Sequence, residues 1–512
     1  MSDLARAASN YTVRDLFQRA FRIYPERVAV THETGSLTYA GLEVRAARVA
    51  TGLYELGVRQ GDRVAVLSET RPEYVEAYAA LASLGACVLT LNIRMHPEEL
   101  GYCIRTGSPT VVLHSGAQSG GVREMREQCP GVREWISFDD DRYSELGASG
   151  GEVPDIEIDA ADPHNVLYTS GTTGRPKGAV ISHGAAAVRG LRLAQWFRLT
   201  PQDGFIGWLP LFHCGGDESL YATMHTGGTY GTLRKADAET MFRMIERDRL
   251  SWTLLLPGVI TDFLNHPKRT GYDLSSFRLA IGYANMMPHV VQRLTEACGI
   301  DFYDAFGQTE TSYLLAHGVS GPGAMPTLRK TPSPLLDVRL VDDEMDEVPV
   351  GVPGECVVRG PSVMSGYLDD PAATEEAFAG GWLHTGDLLM RHDDGGISFV
   401  DRKKYLIKTG GENVYPAEVE QVIAAHESVQ EACVFGVSDE HWGETVKVVV
   451  VRHPGAELSA AEVVAWCRDR LAGYKRPHYV RFMAAEELPR STTGKLQRHE
   501  LAKIPVQPEE AV

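Results

Sequence analysis

Residues 168–178 read YTSGTTGRPKG and follow directly on the short apolar run NVLYT. Gly171, Gly174 and Gly178 let the backbone turn tightly and point its N–H groups into a concavity, to which Ser170, Thr172 and Thr173 add hydroxyl donors and Lys177 a positive charge. Such a loop suits a polyphosphate. The Walker pattern GxxxxGK[ST] does not occur, which disfavours an ordinary nucleotide-hydrolysing P-loop fold. Further along stand other short polar segments: FYDAFGQTE (302–310) with a carboxylate at Glu310, GWLHTGDL (381–388) with Asp387, DRKK (401–404) with Arg402, and PRSTTGK (489–495) ending on Lys495. Carboxylates, lysines and an arginine are the groups needed to hold a metal-bound nucleotide. Taken singly, each has a plainer explanation as a polar loop, a turn aspartate or a solvated lysine.

The order of the segments carries more than any one of them. LTYAGLEVRAARVATGL near the start, YTSGTTGRPKG, WLPLFHCGG (208–216), FYDAFGQTE, GWLHTGDL, DRKKYLIKTGGENVYPAEVE (401–420) and PRSTTGKLQR (489–498) resemble, in the same sequence and over nearly the whole chain, the signature segments of the superfamily of acyl-CoA synthetases, luciferases and peptide-synthetase adenylation domains. The resemblance implies an AMP-forming acid:CoA ligase, which uses Mg²⁺ and ATP to activate a carboxylic acid as an acyl-adenylate and then transfers the acyl group to coenzyme A. It implies roles as well. Thr169, Ser170, Gly171, Thr172, Thr173, Gly174 and Lys177 cradle phosphates. Glu310 binds Mg²⁺ and Thr309 the α-phosphate, Phe306 stacks on adenine, Asp304 accepts from the adenine amino group, and Gly282 lies along the nucleotide. Asp387 and Arg402 hold the ribose hydroxyls. Lys495 is the mobile lysine between carboxylate and α-phosphate, with Thr172, Glu310 and His213 beside it in the catalytic set. Lys404 is the pivot on which a small domain turns, bringing Gly410, Gly411 and Glu412 to the cleft for coenzyme A, with Lys475 meeting its phosphates.

By the same resemblance His213, Cys214, Glu218, Tyr283 and Ala305 wall the acyl pocket. Here the chain departs from the pattern. Phe306 stands where tyrosine is usual and Tyr405 where aspartate is frequent, and Tyr283 in IGYAN (281–285) replaces a residue that is usually small. An aromatic ring there shortens or bends the channel, because packed interiors do not absorb added volume freely, and the expected acid is compact or polycyclic. Asp217 and Glu218 open an apolar helical run. Either both favour a helix N-terminus, or Glu218 faces the pocket and demands a hydroxyl or amine on the substrate, since a buried unpaired carboxylate is costly.

Residues so far apart in sequence must be brought together by several elements. Helical periodicity at 39–56 and 72–84 alternates with the strand-like runs RVAVL (63–67) and CVLTL (87–91), which predicts parallel α/β layers. A Gly/Asp/Ser-rich stretch at 139–163 marks a subdomain boundary, and after about residue 303 shorter strands such as VRLVD and GECVVRG predict a smaller β-rich subdomain. The last hundred or so residues read strand, helix (416–424), strands (432–437 and 446–451), helix (460–471), strand, a small α+β lid domain. The expected division is 1–401 for a large adenylating domain and 402–512 for the lid. A chain of 512 residues exceeds one core. With 43% hydrophobic and 23% charged residues it is a folded type, and its net charge of −18 excludes a general attraction to nucleic acid or an anionic membrane. The eight cysteines form no CxxC pair, so free buried thiols in a reducing compartment are expected. Without an apolar leader or a long apolar run, the reading is a cytoplasmic enzyme with no membrane insertion. Whether it forms a homodimer stays open.

Competing readings are an enzyme that passes its adenylate to a carrier protein or a separate partner, a serine hydrolase suggested by GASGG (147–151), and a non-catalytic interaction protein. The third leaves Lys177, Glu310, Asp387, Arg402 and Lys495 unexplained, and the second lacks the strand and helix of a nucleophile elbow.

Overall fold

The computed structural model describes residues 9–148, 151, 153–170, 175–283, 288–409, 412–439, 441–490 and 496–512, the side chains of Ser170, Pro257 and Tyr283 excepted. The fold is mixed α/β, and the chain divides into two compact units, residues 1–338 with 358–383, and residues 339–357 with 384–512.

The first unit is built on two large sheets. One carries Arg63–Leu67, Cys87–Thr90, Val111–His114 and Glu134–Ser137 as parallel neighbours, joined through Cys87–Thr90 to the strand Pro163–Ser170. That strand turns back antiparallel into Pro176–Ser182, with Thr169 opposite Lys177. The phosphate-loop motif is therefore the connection of a hairpin at the edge of a parallel sheet. The other sheet runs parallel through Gly204–Gly207, Trp252–Leu254, Leu279–Tyr283 and Asp301–Gln308, and is extended antiparallel by Ser312–Ser320 and Thr331–Pro332. Strands covered on both faces read as continuous apolar runs, which is why RVAVL and its neighbours are buried along nearly their whole length.

Helices Pro72–Ser83, His183–Trp196 and Cys214–Thr226 pack against strands of both sheets or against one another. Residues 214–224 are all buried, acids included, as expected of a helix enclosed on every side. Its C-terminal cap is Gly227 in the left-handed conformation (φ 72°). Where this helix crosses His183–Trp196 the contact is close enough to need a glycine: a Cβ on Gly190 would lie 2.4 Å from Cβ of Tyr221.

The second unit holds a four-stranded sheet of Asp337–Val341, Pro353–Arg359, Leu383–Arg391 and Ile397–Arg402, and a five-stranded sheet in which Val429–Asp439 and Gly443–Arg452 form a long hairpin. Helices Pro416–Ala424 and Ala460–Arg468 cover a valine-rich core on the latter. Lys447, fully buried on the hairpin, is paired with Glu510 at 2.6 Å, and Arg481 meets the same carboxylate at 3.2 Å, which docks residues 508–512 on this sheet. The expected boundary at 401/402 falls inside this unit: Asp401 accepts from the Ala417 N–H at 2.7 Å and lies 3.6 Å from Arg498.

The β-rich region expected after residue 303 is divided. The hairpin of residues 301–320 extends the large parallel sheet, since Asp301–Gln308 pairs with Leu279–Tyr283 and its own apolar residues Phe302, Ala305 and Leu314 are buried there, whereas VRLVD and GECVVRG enter the four-stranded sheet. All eight cysteines are free, and seven are buried. Among the described residues no helix is long and apolar enough to cross a membrane.

Gly190→Val would force the two central helices apart. We expect a loss of about 1–3 kcal/mol, the usual cost of overpacking, read as a Tm lowered by several degrees in thermal unfolding, with Gly190→Ala intermediate; an unchanged Tm would show that the helices do not meet as described.

Candidate active site

The first unit gathers residues from four of the quoted segments. Asp301–Gln308 is a β-strand, so Asp304 and Phe306 share one face and Ala305 takes the other. Asp304 is opposite Gly282 on one neighbouring strand and Gly318 on the other, and Ala305 is opposite Tyr283 and His317. At the end of the strand the chain turns through Thr309 and Glu310 into Ser312–Ser320, and Thr309 Oγ1 lies 4.0 Å from Sγ of Cys214. His213 is the residue that caps the Cys214–Thr226 helix. WLPLFHCGG and FYDAFGQTE, nearly a hundred residues apart, thus meet at this turn.

Lys177 joins them through a residue no motif pointed to. Its ammonium stands 5.1 Å from the centre of the Tyr367 ring, and the Tyr367 hydroxyl donates to Oε1 of Glu310 at 3.0 Å. Tyr367 reaches this place because Gly366–Tyr367 adds to the edge of the Pro176–Ser182 strand. In sequence it stands in GYLDD, which carries no chemical signature.

The Glu310 turn is anchored from below by another such residue. Arg189, 1% exposed, donates to the carbonyls of Ser362 (2.8 Å) and Glu310 (3.3 Å) and pairs with Oε1 of Glu218 at 3.3 Å. Oε2 of Glu218 accepts from the Ser312 hydroxyl at 2.5 Å, and Arg192 donates to the same hydroxyl. Ser312 has φ 91°, an unusual backbone for a side-chain-bearing residue, and strain of this kind persists where surrounding bonds over-determine it. Burial lowers the Arg192 pKa to about 10, against the opposing pull of Glu218. Burial raises both acids, and Asp217, further raised by the charge of Glu218, receives hydrogen bonds from Asn165 (2.7 Å) and the Glu218 N–H (2.8 Å). Glu218 is therefore a paired internal carboxylate, and the condition for its demanding a donor from a substrate, an unpaired charge, is not met.

In the second unit Asp387 and Arg402 are register partners on adjacent strands, and Nε of Arg402 lies 2.6 Å from Oδ1 of Asp387. Two residues expected to share one ligand are thus neighbours. Lys404 is in the short 3-10 turn Lys403–Tyr405, its ammonium 4.9 Å from the Tyr405 ring centre. Ile407–Thr409 and Glu412–Val414 pair antiparallel on either side of residues 410 and 411, with Glu412 exposed. Lys475 is held by both carboxylate oxygens of Glu418 at 2.7 Å, so it would exchange that partner to meet a phosphate. Gly171, Thr172, Thr173, Gly174, Gly410, Gly411 and Lys495 lie outside the described residues, as do the side chains of Ser170 and Tyr283.

Removing one member of the internal ion pair leaves a buried charge unpaired, which costs about 3–5 kcal/mol, whereas replacing both members by apolar groups is often near neutral. Arg189→Met is expected to lose stability on that scale, and Arg189→Met with Glu218→Leu to lose less than the sum of the single variants. Denaturant midpoints of the four proteins check this; strictly additive losses would mean the two side chains do not act on each other.

Comparison with known proteins agrees with this geometry. The AMP-binding enzyme family matches residues 17–368, and the AMP-binding enzyme C-terminal domain matches residues 418–495. The chain is 34% identical to a feruloyl-CoA synthase of Amycolatopsis sp, covering 95% of this chain and 97% of the relative, and 33% identical to an indoleacetate–CoA ligase of Aromatoleum aromaticum, covering 94% and 95%. Its structure is similar to that of o-succinylbenzoate CoA synthetase from Bacillus subtilis in complex with its acyl-adenylate intermediate, with a TM-score of 0.82 at 27% identity over 96% of this chain and 98% of the other. From the motif segments, the hairpins that carry them and the match along both units, the chain belongs to the family of AMP-binding enzymes.

Proposed function

We propose that the protein joins a compact, ring-bearing carboxylic acid to coenzyme A. It is an acid:CoA ligase. A carboxylate oxygen of the acid attacks the α-phosphorus of ATP, the bond to pyrophosphate breaks, and acyl-AMP forms. The thiol of coenzyme A then attacks the acyl carbonyl, loses its proton, and AMP leaves. The observation that carries the reading is the turn at Thr309–Glu310, where a buried carboxylate, a lysine reached through Tyr367 and the helix start at His213 and Cys214 converge.

Attack by one anion on another requires positive charge and alignment with the departing group. Thr169 to Gly174 and Lys177 take the phosphates, Thr309 the α-phosphate, Phe306 and Gly282 the faces and edge of adenine, and Asp387 with Arg402 the ribose. Glu310 fits Mg²⁺: it is a hard-oxygen ligand, and this ion is ordinarily held by one or two carboxylates together with substrate phosphates rather than by a protein cage. Bound there, Mg²⁺ would neutralise phosphate charge. Thr172 and His213 flank the reacting carboxylate, and Lys495 stabilises the charge that develops between carboxylate and α-phosphate. Residues 402–512 turn about Lys404 between the two steps, exchanging Lys495 for Gly410, Gly411 and Glu412, and Lys475 then meets coenzyme A. The reaction draws on ATP and coenzyme A of the cytoplasm.

Two features support a compact acid. Tyr283 and Ala305, both expected at the acyl pocket, are register partners on adjacent strands, and the relatives are named for feruloyl, indoleacetate and succinylbenzoate groups.

ATP–pyrophosphate exchange should require both Mg²⁺ and a carboxylic acid, and thioester should form when coenzyme A is added. Lys495→Ala is expected to lose at least about 100-fold in exchange, the scale of one preorganised charge stabiliser, yet to form thioester from supplied acyl-adenylate; near-normal exchange would remove Lys495 from the first step.

With a panel of acids, aryl and cyclic acids should exceed straight-chain fatty acids in kcat/KM, and Tyr283→Gly should gain on long chains. A wild type that prefers long straight chains, unaffected by that substitution, would overturn the pocket assignment.

A further inference from the structure

Lys330 belongs to no motif, yet its ammonium is enclosed, the side chain 1% exposed and paired with Asp304. The sheet register explains how it arrives there. Asp304 is opposite Gly318, and on the next strand His317 is opposite Thr331, the residue after Lys330. The backbone just before Lys330 closes over Gly318, where an added Cβ would lie 2.6 Å from the carbonyl oxygen of Arg329, so the approach that places Lys330 beside Asp304 needs a glycine there. Nζ reaches Oδ2 of Asp304 at 2.5 Å. The other carboxylate oxygen, Oδ1, is buried and takes no hydrogen bond among the described residues. An unsatisfied buried acceptor is a cost that native structures seldom carry without a reason, and this one shares a strand face with Phe306 two residues on.

We propose that Lys330 is the positioning residue for base selection: it holds Asp304 as an oriented carboxylate whose Oδ1 accepts the 6-amino group of adenine and repels the 6-oxo group of guanine. The inference rests on the nucleotide site proposed above and adds a residue and a specificity to it. An ionised carboxylate only accepts hydrogen bonds, whereas a protonated carboxyl can donate one. Protonation would thus weaken Asp304 as an acceptor for the adenine amino group and give it a donor for the guanine oxygen. Burial raises the Asp304 pKa and Lys330 opposes that rise. The strand neighbours of Asp304 on both sides are Gly282 and Gly318, so the charged group facing it among the described residues is Lys330. Without that ammonium the carboxyl stays protonated to higher pH, and discrimination falls.

The test is acid-dependent pyrophosphate exchange with ATP and with GTP, using the full chain as wild type, Lys330→Met, Lys330→Arg and Asp304→Asn. Lys330→Met should raise KM for ATP about tenfold or more, the scale of a hydrogen bond to a charged group, with kcat little changed, and should lower the ATP:GTP ratio of kcat/KM by a similar factor. Its KM for ATP should also climb at a higher pH than in the wild type as pH is lowered. Lys330→Arg should restore most of the ratio. Asp304→Asn, whose amide can donate to guanine, should lower the ratio too, and serves if Lys330→Met does not fold. Losses equal for both nucleotides, or an ATP:GTP ratio unchanged in Lys330→Met and Asp304→Asn, would overturn the proposal. Absence of any acid-dependent exchange in the wild type would instead refute the ligase reading beneath it.

Discussion

The arrangement of the first unit depends on one buried cation. The guanidinium of Arg189 stands where the His183–Trp196 helix, the Cys214–Thr226 helix, the Glu310 turn and the segment around Ser362 meet, and it bonds to a group from each of the last three. A planar fork with five donors is suited to such a junction. A charge out of water is tolerated only when its donors are used and a counter-charge is near, and Glu218 supplies the counter-charge. The pairing with Ser312 then constrains the residue that leaves the Glu310 turn, where the backbone takes an otherwise disfavoured conformation. The position of the Glu310 turn is thus set from within the core, by the buried side chains of Arg189, Glu218 and Ser312.

The same logic recurs on a smaller scale around the turn. Tyr367 links Lys177 to Glu310, and Lys330 holds Asp304. Each is a side chain with a long reach, carried on an edge strand or the segment beside it, that immobilises a motif residue. Charged groups are useful to chemistry only when their rotamers are held, since a displacement of about 1 Å can cost about a hundredfold in rate. The motif residues Glu310 and Asp304 are held in place by neighbours that belong to no motif.

In the second unit the local order is simpler. Asp387 and Arg402 face each other across two adjacent antiparallel strands, so their pairing follows from register alone. Asp401, the residue before the arginine, is tied to Ala417 and faces Arg498. Because alternate residues of a strand point to opposite faces, Arg402 pairs with Asp387 on the side away from those bonds.

Much of this was legible in the amino-acid order. Apolar runs such as RVAVL marked buried parallel strands, a 3.6-residue period marked the Tyr39–Glu55 and Pro72–Ser83 helices, and the glycines, hydroxyls and lysine of residues 168–178 marked a loop suited to phosphate, because these are local chemical facts. The roles expected of Glu310, Asp387 and Arg402 came instead from the order of the segments and their resemblance to a family. What the order of residues left open was which distant side chains meet. Glu218 at a helix start could have faced a ligand or the core, and only the approach of Arg189 and Ser312 from other elements decided for the core. Tyr367 and Lys330 carry no local signature, and their places arise from an edge-strand pairing and from a backbone segment that closes over Gly318. Local sequence determines what a residue can do and which element it joins; tertiary structure decides its partners, because a buried charge takes its meaning from the counter-charge that packing brings within a few ångströms.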